Sequence, residues 1–220
     1  MATTQARPAE ARAARERLLR ATIDVFAQSG MHGSTTKRIA QAAGVNEVTL
    51  FRHFGTKAEL LREALGAAVR EAELPQLPEA PADPRRELVE WARLHLRHLH
   101  HNAALARSCL AEMEAAPEVA RFSGALVQAA AADLRAYLGR LREHGWLGPE
   151  VPLASAARLL TGALFADAVT SGLLDEGSAH SLAEAPERYV SIFLAGIGLT
   201  APPATGNGAT PGGTERPGPG

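Results

Sequence analysis

Residues 35–57, TTKRIAQAAGVNEVTLFRHFGTK, constrain the fold more than any other stretch, because they read as two short helices joined by a tight turn. Ser34 or Thr35 offers a hydroxyl to the free N–H groups of the opening turn, and the first helix runs through Ile39 and Ala43. Gly44 ends it, since glycine takes a positive φ at no steric cost, and Val45 packs inward to set the new direction. Asn46 caps the second helix. There Val48, Leu50, Phe51 and Phe54 supply the buried side, and Glu47, Thr49, Arg52 and His53 face outward. Ala40 lets the helices approach and Leu50 pins the second onto the first. This is the helix-turn-helix arrangement that projects a helix into a major groove, although the spacing also fits an ordinary helical hairpin.

A denser set of residues narrows that choice. Ser34-Thr35-Thr36, Ile39-Ala40, Ala43-Gly44-Val45, Thr49-Leu50-Phe51, His53-Phe54, Lys57 and Leu60-Leu61 together resemble the N-terminal signature of the TetR family of one-component transcriptional regulators. The resemblance runs over residues 15–62, and the remainder is similar only in its helical layout. It implies an all-α fold of about nine helices: a three-helix DNA-binding part, then a helical part for ligand binding and dimerisation. It also implies a homodimer that holds a palindromic double-stranded operator and lets go when a small molecule enters the back half. Two departures stand out. The family usually has a tyrosine, whose hydroxyl bonds a DNA phosphate, where this chain has Phe51, and it favours glycine or alanine where Val48 stands.

The charge distribution agrees with one DNA-facing end. Residues 1–70 hold eleven Lys/Arg against six Asp/Glu, and the remaining 150 hold twelve against eighteen, so a whole-chain charge of −1 conceals a basic front and an acidic back. On this basis Lys37, Arg38, Arg52 and Lys57 are expected at phosphates, with Thr36 adding a neutral contact, and Phe51 at the family's backbone-contacting position. Asn46, Glu47 and Thr49, with Arg52 and His53, are expected to read base edges. Lys57 opens a helix, where a cation is unfavourable unless an anion docks there.

The single cysteine, Cys109, rules out an intrachain disulfide and fits the cytoplasm. No run approaches ~18 consecutive apolar residues, and residues 1–20 lack a signal-peptide core, so no membrane association is expected. No phosphate loop, nucleophile elbow or paired metal-binding histidines mark an enzyme, and no cofactor or metal is expected. A ligand-independent DNA-binding protein and a transcriptional activator are the other readings the sequence admits.

Along the chain, residues 1–11 lack periodicity and are expected to be a flexible arm, with Arg7 and Arg12 either in reach of DNA or simply solvated. Residues 12–56 form the DNA-binding domain, whose first helix, residues 12–29, buries Leu19, Ile23 and Phe26. Residues 57–200 form the ligand-binding and dimerisation domain, interrupted by a proline-rich loop at 74–84. Residues 201–220, with 5 Pro and 6 Gly, are expected to be disordered.

Within the back half, Trp91, Met113, Phe122, Tyr137 and Phe165 lie on helices that line the pocket in look-alikes, so an apolar or aromatic effector is expected; each also suits plain core. Leu160, Leu164, Phe193 and Ile197, on two strongly apolar helices, are expected at a dimer interface or in a buried core. His95, His98, His100 and His101 have a spacing that a metal could use but no acidic or cysteine partner, and read as a hydrated helix face. Cys109, among alanine and leucine, reads as a small buried hydrophobe.

Overall fold

The computed structural model describes residues 6–173 and 184–199, with the side chains of residues 6–8, 117, 118 and 120–123 left aside. The expected tail at 201–220 and residues 1–5 of the arm lie outside the described residues. Those described fold into nine helices and no strand: α1 (Ala6–Gly33), α2 (Thr36–Ala42), α3 (Glu47–Phe54), α4 (Lys57–Glu71), α5 (Pro84–His101), α6 (Ala103–Glu112), α7 (Pro117–Glu143), α8 (Leu153–Thr170) and α9 (Ala185–Gly196). The all-α expectation holds.

Local chemistry sets most boundaries. Thr35, Asn46, Thr56 and Asp83 each accept a hydrogen bond from a backbone N–H of the turn they open. Gly44 (φ 65°) ends α2, with the Val45 N–H on the Ala40 carbonyl at 3.0 Å and the Gly44 N–H on that of Gln41 at 3.1 Å. Gly145 closes α7 with the same paired bonds. α1 differs from expectation at both ends. It begins at Ala6, so residues 6–11 continue the helix, and at Gly30 (φ 62°) it kinks rather than stopping.

Three apolar cores hold the helices together. The head core joins α1, α2, α3 and the start of α4 through Leu18, Ala21, Val25, Ile39, Leu50, Phe54 and Leu60. The α1 stripe is therefore Ala14, Leu18, Ala21 and Val25; the expected Leu19 and Ile23 are only half buried, one residue round the helix. A hinge core joins Phe26 of α1, Leu61 and Leu65 of α4, Cys109 of α6 and Val119 of α7. The back core joins α5, α7, α8 and α9 around Leu88, Leu96, Leu134, Leu138, Leu160 and Val190. Burying each such side chain contributes about 1.5–3 kcal/mol, which is how an eight-residue α3, too short to stand alone, stays helical.

Several polar groups inside this packing tie helices together. Asp133 of α7 accepts from the Trp91 indole N–H at 2.9 Å and from the Leu77 N–H at 3.1 Å, tying α5 and the proline-rich loop to α7. The Tyr137 hydroxyl donates to Glu87, and with burial this holds the phenol proton far above its ordinary range. α8 matches a membrane span in length and mean hydropathy (1.2); Leu160, Leu164 and Ala168 on it are buried in the back core, while Leu159 stays exposed.

Candidate nucleic-acid interface and effector cleft

The candidate DNA-facing surface is built by α2 and α3. Asn46 Oδ1 accepts from both the Thr49 N–H and the Thr49 hydroxyl at 2.8 Å, so the cap fixes the Thr49 side chain as well as the helix start. Leu50 and Phe54, four residues apart, mark the buried line of α3. Val48 is 74% exposed and Phe51 46% exposed, and with Thr49 and Arg52 they form the open face. This corrects the expectation that Val48 and Phe51 are buried. At 100° per residue Val48 lies about 200° from Leu50, so helix arithmetic anchored on Leu50 and Phe54 would have found it.

The other expected contact residues divide. Lys37 and Arg38 are exposed on α2, the latter donating to the Gly33 carbonyl at 2.9 Å. Glu47 turns toward α2 and accepts from the Thr36 hydroxyl, so these two side chains tie the reading helices together. Lys57 donates through Nζ to the Met31 carbonyl beside the α1 kink. His53 is half buried, its ring 6.1 Å from that of Phe54. Arg17, which sequence reasoning passed over, reaches from α1 to the Ala43 carbonyl at 3.0 Å and borders the groove beside Asn46, Thr49 and Arg52.

The back half holds a narrow apolar cleft between α5, α7 and α8. Trp91, Leu99, Leu126, Val127 and Phe165 wall it, with His95, His98 and Thr161 as polar members. The space open to the centre of a water-sized sphere is about 20 Å³, enough for roughly one water. Of the five expected ligand residues, Trp91 and Phe165 line this cleft. Tyr137 is wholly buried elsewhere in the core, and Met113 is 43% exposed at the end of α6. The side chain of Phe122 lies outside the described residues. His95 was misread as hydrated; it is 4% exposed, because it follows Trp91 by four residues and shares its face.

Burial holds the His95 imidazole below the ordinary histidine range, against the opposing pull of the Trp91 carbonyl and Asp133. The unfolded chain titrates near 6.5, so below that pH it binds a proton the folded state refuses. His98, also lowered by burial, acts in the same direction. Melting temperature is therefore expected to be insensitive to this pair above neutrality and to fall as pH drops below about 6.5. His95→Leu should flatten that fall; an unchanged profile would contradict the assignment. Burial likewise raises the Cys109 thiol to about 11, leaving an inert hydrophobe.

The four apolar residues expected at a dimer interface are placed differently. Leu160 (2% exposed), Leu164 (1%) and Phe193 (4%) belong to the back core of their own chain, and Ile197 is partly buried against it. What α8 and α9 leave exposed is Leu159 (68%) and Ile192 (72%), beside the small residues Gly162, Ala166, Ala195 and Gly196.

Residues 18–64, which contain α2 and α3 whole, match the family model described as bacterial regulatory proteins, tetR family. The uncharacterized HTH-type transcriptional regulator TtgW of Pseudomonas putida is 32% identical over 90 residues, covering 41% of this chain and 67% of that protein. The chain belongs to the TetR family. This TetR-family chain is also 27% identical over 169 residues to the HTH-type transcriptional regulator SrpR of Pseudomonas putida, covering 77% of each. A crystal structure of a transcriptional regulator from Pseudomonas aeruginosa PAO1 shares its fold with a TM-score of 0.68 at 20% identity, over 83% of this chain and 89% of the other. One from a Rhodococcus species gives 0.65 at 24%, over 85% and 99%. The chain is a DNA-binding transcriptional regulator of the helix-turn-helix type.

Proposed function

We propose that this TetR-family regulator is a homodimeric repressor that holds a palindromic operator and is released by a small molecule entering the cleft between α5, α7 and α8. The observation that carries this reading is the arrangement of α3. Its open face offers Val48, Thr49 and Arg52 above a buried Leu50–Phe54 line, while Lys37, Arg38 and Lys57 flank it as phosphate partners. Asn46 adds an amide at the tip, and Phe51 packs against sugar-phosphate without the hydroxyl of its tyrosine counterpart. Glu47 and Thr36 brace the unit, and His53 supports it from the flank. Residues 6–56 make the reading head, and the helices from residue 57 on sense the ligand and pair the subunits.

Release follows from the packing. Small-molecule sites need roughly 300–1,000 Å³, far more than the closed cleft offers, so a ligand must part its walls. α7 is one of those walls and also touches α4 in the hinge core, so its displacement moves α4 and the head on it. Two heads must sit about one duplex turn apart, and a changed separation costs affinity. Dimerisation through the exposed apolar strip of α8 and α9 is what sets that separation.

Nuclease protection of the protein's own upstream DNA, with and without candidate compounds, tests this reading. A symmetric footprint that a compound removes is expected; a footprint that appears only with a compound bound would make it an activator or co-repressed switch. Val48→Ala should relax preference at one base pair of each half-site, by about 1–3 kcal/mol, because a branched apolar side chain matches a thymine methyl. A half-site library selected before and after the substitution measures this, and an identical preference would remove Val48 from the reading face.

A further inference from the structure

His95, one of the residues lining the cleft, carries a buried polar atom that the protein leaves unsatisfied. His95 Nδ1 lies 3.1 Å from the Trp91 carbonyl oxygen, and a carbonyl only accepts, so Nδ1 carries the ring proton. The ring is neutral at pH 7, and Nε2 keeps a bare lone pair. Among the described residues nothing bonds that nitrogen, although it is itself enclosed. A buried acceptor without a partner is unusual enough to call for an explanation, and here the atom belongs to a residue lining the cleft.

The neighbouring groups fix what kind of partner is missing. Thr161, on the α8 wall, gives its hydroxyl hydrogen to the Ala157 carbonyl at 2.9 Å, so toward a ligand it too can only accept. The Trp91 N–H is already spent on Asp133, which sets a carboxylate behind that wall. Among the described side chains no lysine or arginine lines the cleft. Burial holds His98, the third polar member, toward its neutral form, so an anion entering would lose its water without gaining a full counter-charge, and an ether oxygen would leave His95 Nε2 without a donor. The indole of Trp91 and the ring of Phe165 provide flat apolar walls, which a planar molecule separates with the least displacement.

We infer that the cleft selects uncharged aromatic molecules bearing a hydroxyl or N–H group that donates to His95 Nε2. This rests on the effector reading of the same cleft given above. It adds a rule for which molecules act: the donor is required, and acids and capped ethers of the same shape are rejected. The requirement is steep because a site built around a polar atom discriminates strongly against analogues that leave it unpaired.

Calorimetric titration of the full chain with naphthol, its methyl ether and naphthoate tests the rule. Naphthol should bind at least about ten-fold more tightly than the ether, and naphthoate should not bind measurably. His95→Leu should lower naphthol to the affinity of the ether, and His95→Gln, whose amide oxygen restores an acceptor, should recover part of the difference. Equal binding of naphthol and ether by the unsubstituted protein would overturn the donor requirement while leaving the cleft a ligand site. Tighter naphthoate, or naphthol binding unchanged in a folded His95→Leu chain, would overturn it as well. If none of the three binds, the cleft is not a site for such molecules and the effector reading falls with the rule.

Discussion

Ile192→Glu is expected to give a folded monomer with operator affinity lowered by two orders of magnitude or more, whereas Leu164→Glu is expected to unfold the back half. The two substitutions introduce the same charge and differ only in what surrounds it. Ile192 is 72% exposed on α9, so a carboxylate there stays hydrated in the single chain and costs little, within about 0.5 kcal/mol. In a symmetric pair the same change is met twice, with two carboxylates brought together and dehydrated. Losing the second head removes the linked binding event, a factor of roughly 10²–10⁴. Leu164 is 1% exposed, and its loss alone costs about 2–5 kcal/mol before the buried charge is counted, against a total stability of about 5–15 kcal/mol. Light-scattering mass, far-UV circular dichroism and operator titration separate the two outcomes. An Ile192→Glu chain that remains dimeric would place the interface elsewhere.

Leu50→Ala is expected to abolish operator binding while most of the helix content survives. Leu50 is wholly buried where α3 meets α1 and α2, and the head core around it is small. Removing its side chain costs about 2–5 kcal/mol, enough to release an eight-residue helix that has little propensity to stand alone. The back core shares no residue with the head core, so α5, α7, α8 and α9 keep their packing. Hydrogen exchange should show lost protection in α2 and α3 with the back half unchanged. Uniform loss across the chain would mean that the cores unfold as one.

The features legible in the sequence are those fixed by local chemistry. Gly44, Asn46, Thr56, Pro84 and Gly145 announce their turns and caps because each acts within a few residues of itself, and the structure uses every one of them. Which face of a helix meets which neighbour is a tertiary matter, and there the reading slipped. Leu159 and Leu160 are adjacent and alike, yet one is 68% exposed and the other 2%, since only the position of α5, α7 and α9 decides which of them looks inward. Val48 and Leu50 show the same ambiguity on α3, and a period of 3.6 residues resolves it once the buried member of the pair is known. His95 was hidden differently: its arginine and histidine neighbours suggested water, while its four-residue step from Trp91 put it against the core. The cleft itself had no single signature, because its walls come from α5, α7 and α8, three segments far apart in sequence.

The division of α4 between two cores limits how regulators of this build can be recombined. Leu60 belongs to the head core and the very next residue, Leu61, to the hinge core, where Phe26 of α1 also sits. A chimera cut at residue 56 would carry Phe26 away from Leu61, Leu65 and Cys109 and leave a wholly buried aromatic ring facing a foreign surface. The transplantable cassette is therefore larger than the DNA-reading unit, extending through α4 and requiring an α6 face shaped to receive it. On the proposed reading of α3, new operator specificity is expected far more readily from exchanging its outward side chains, at Val48, Thr49 and Arg52, which no core has claimed.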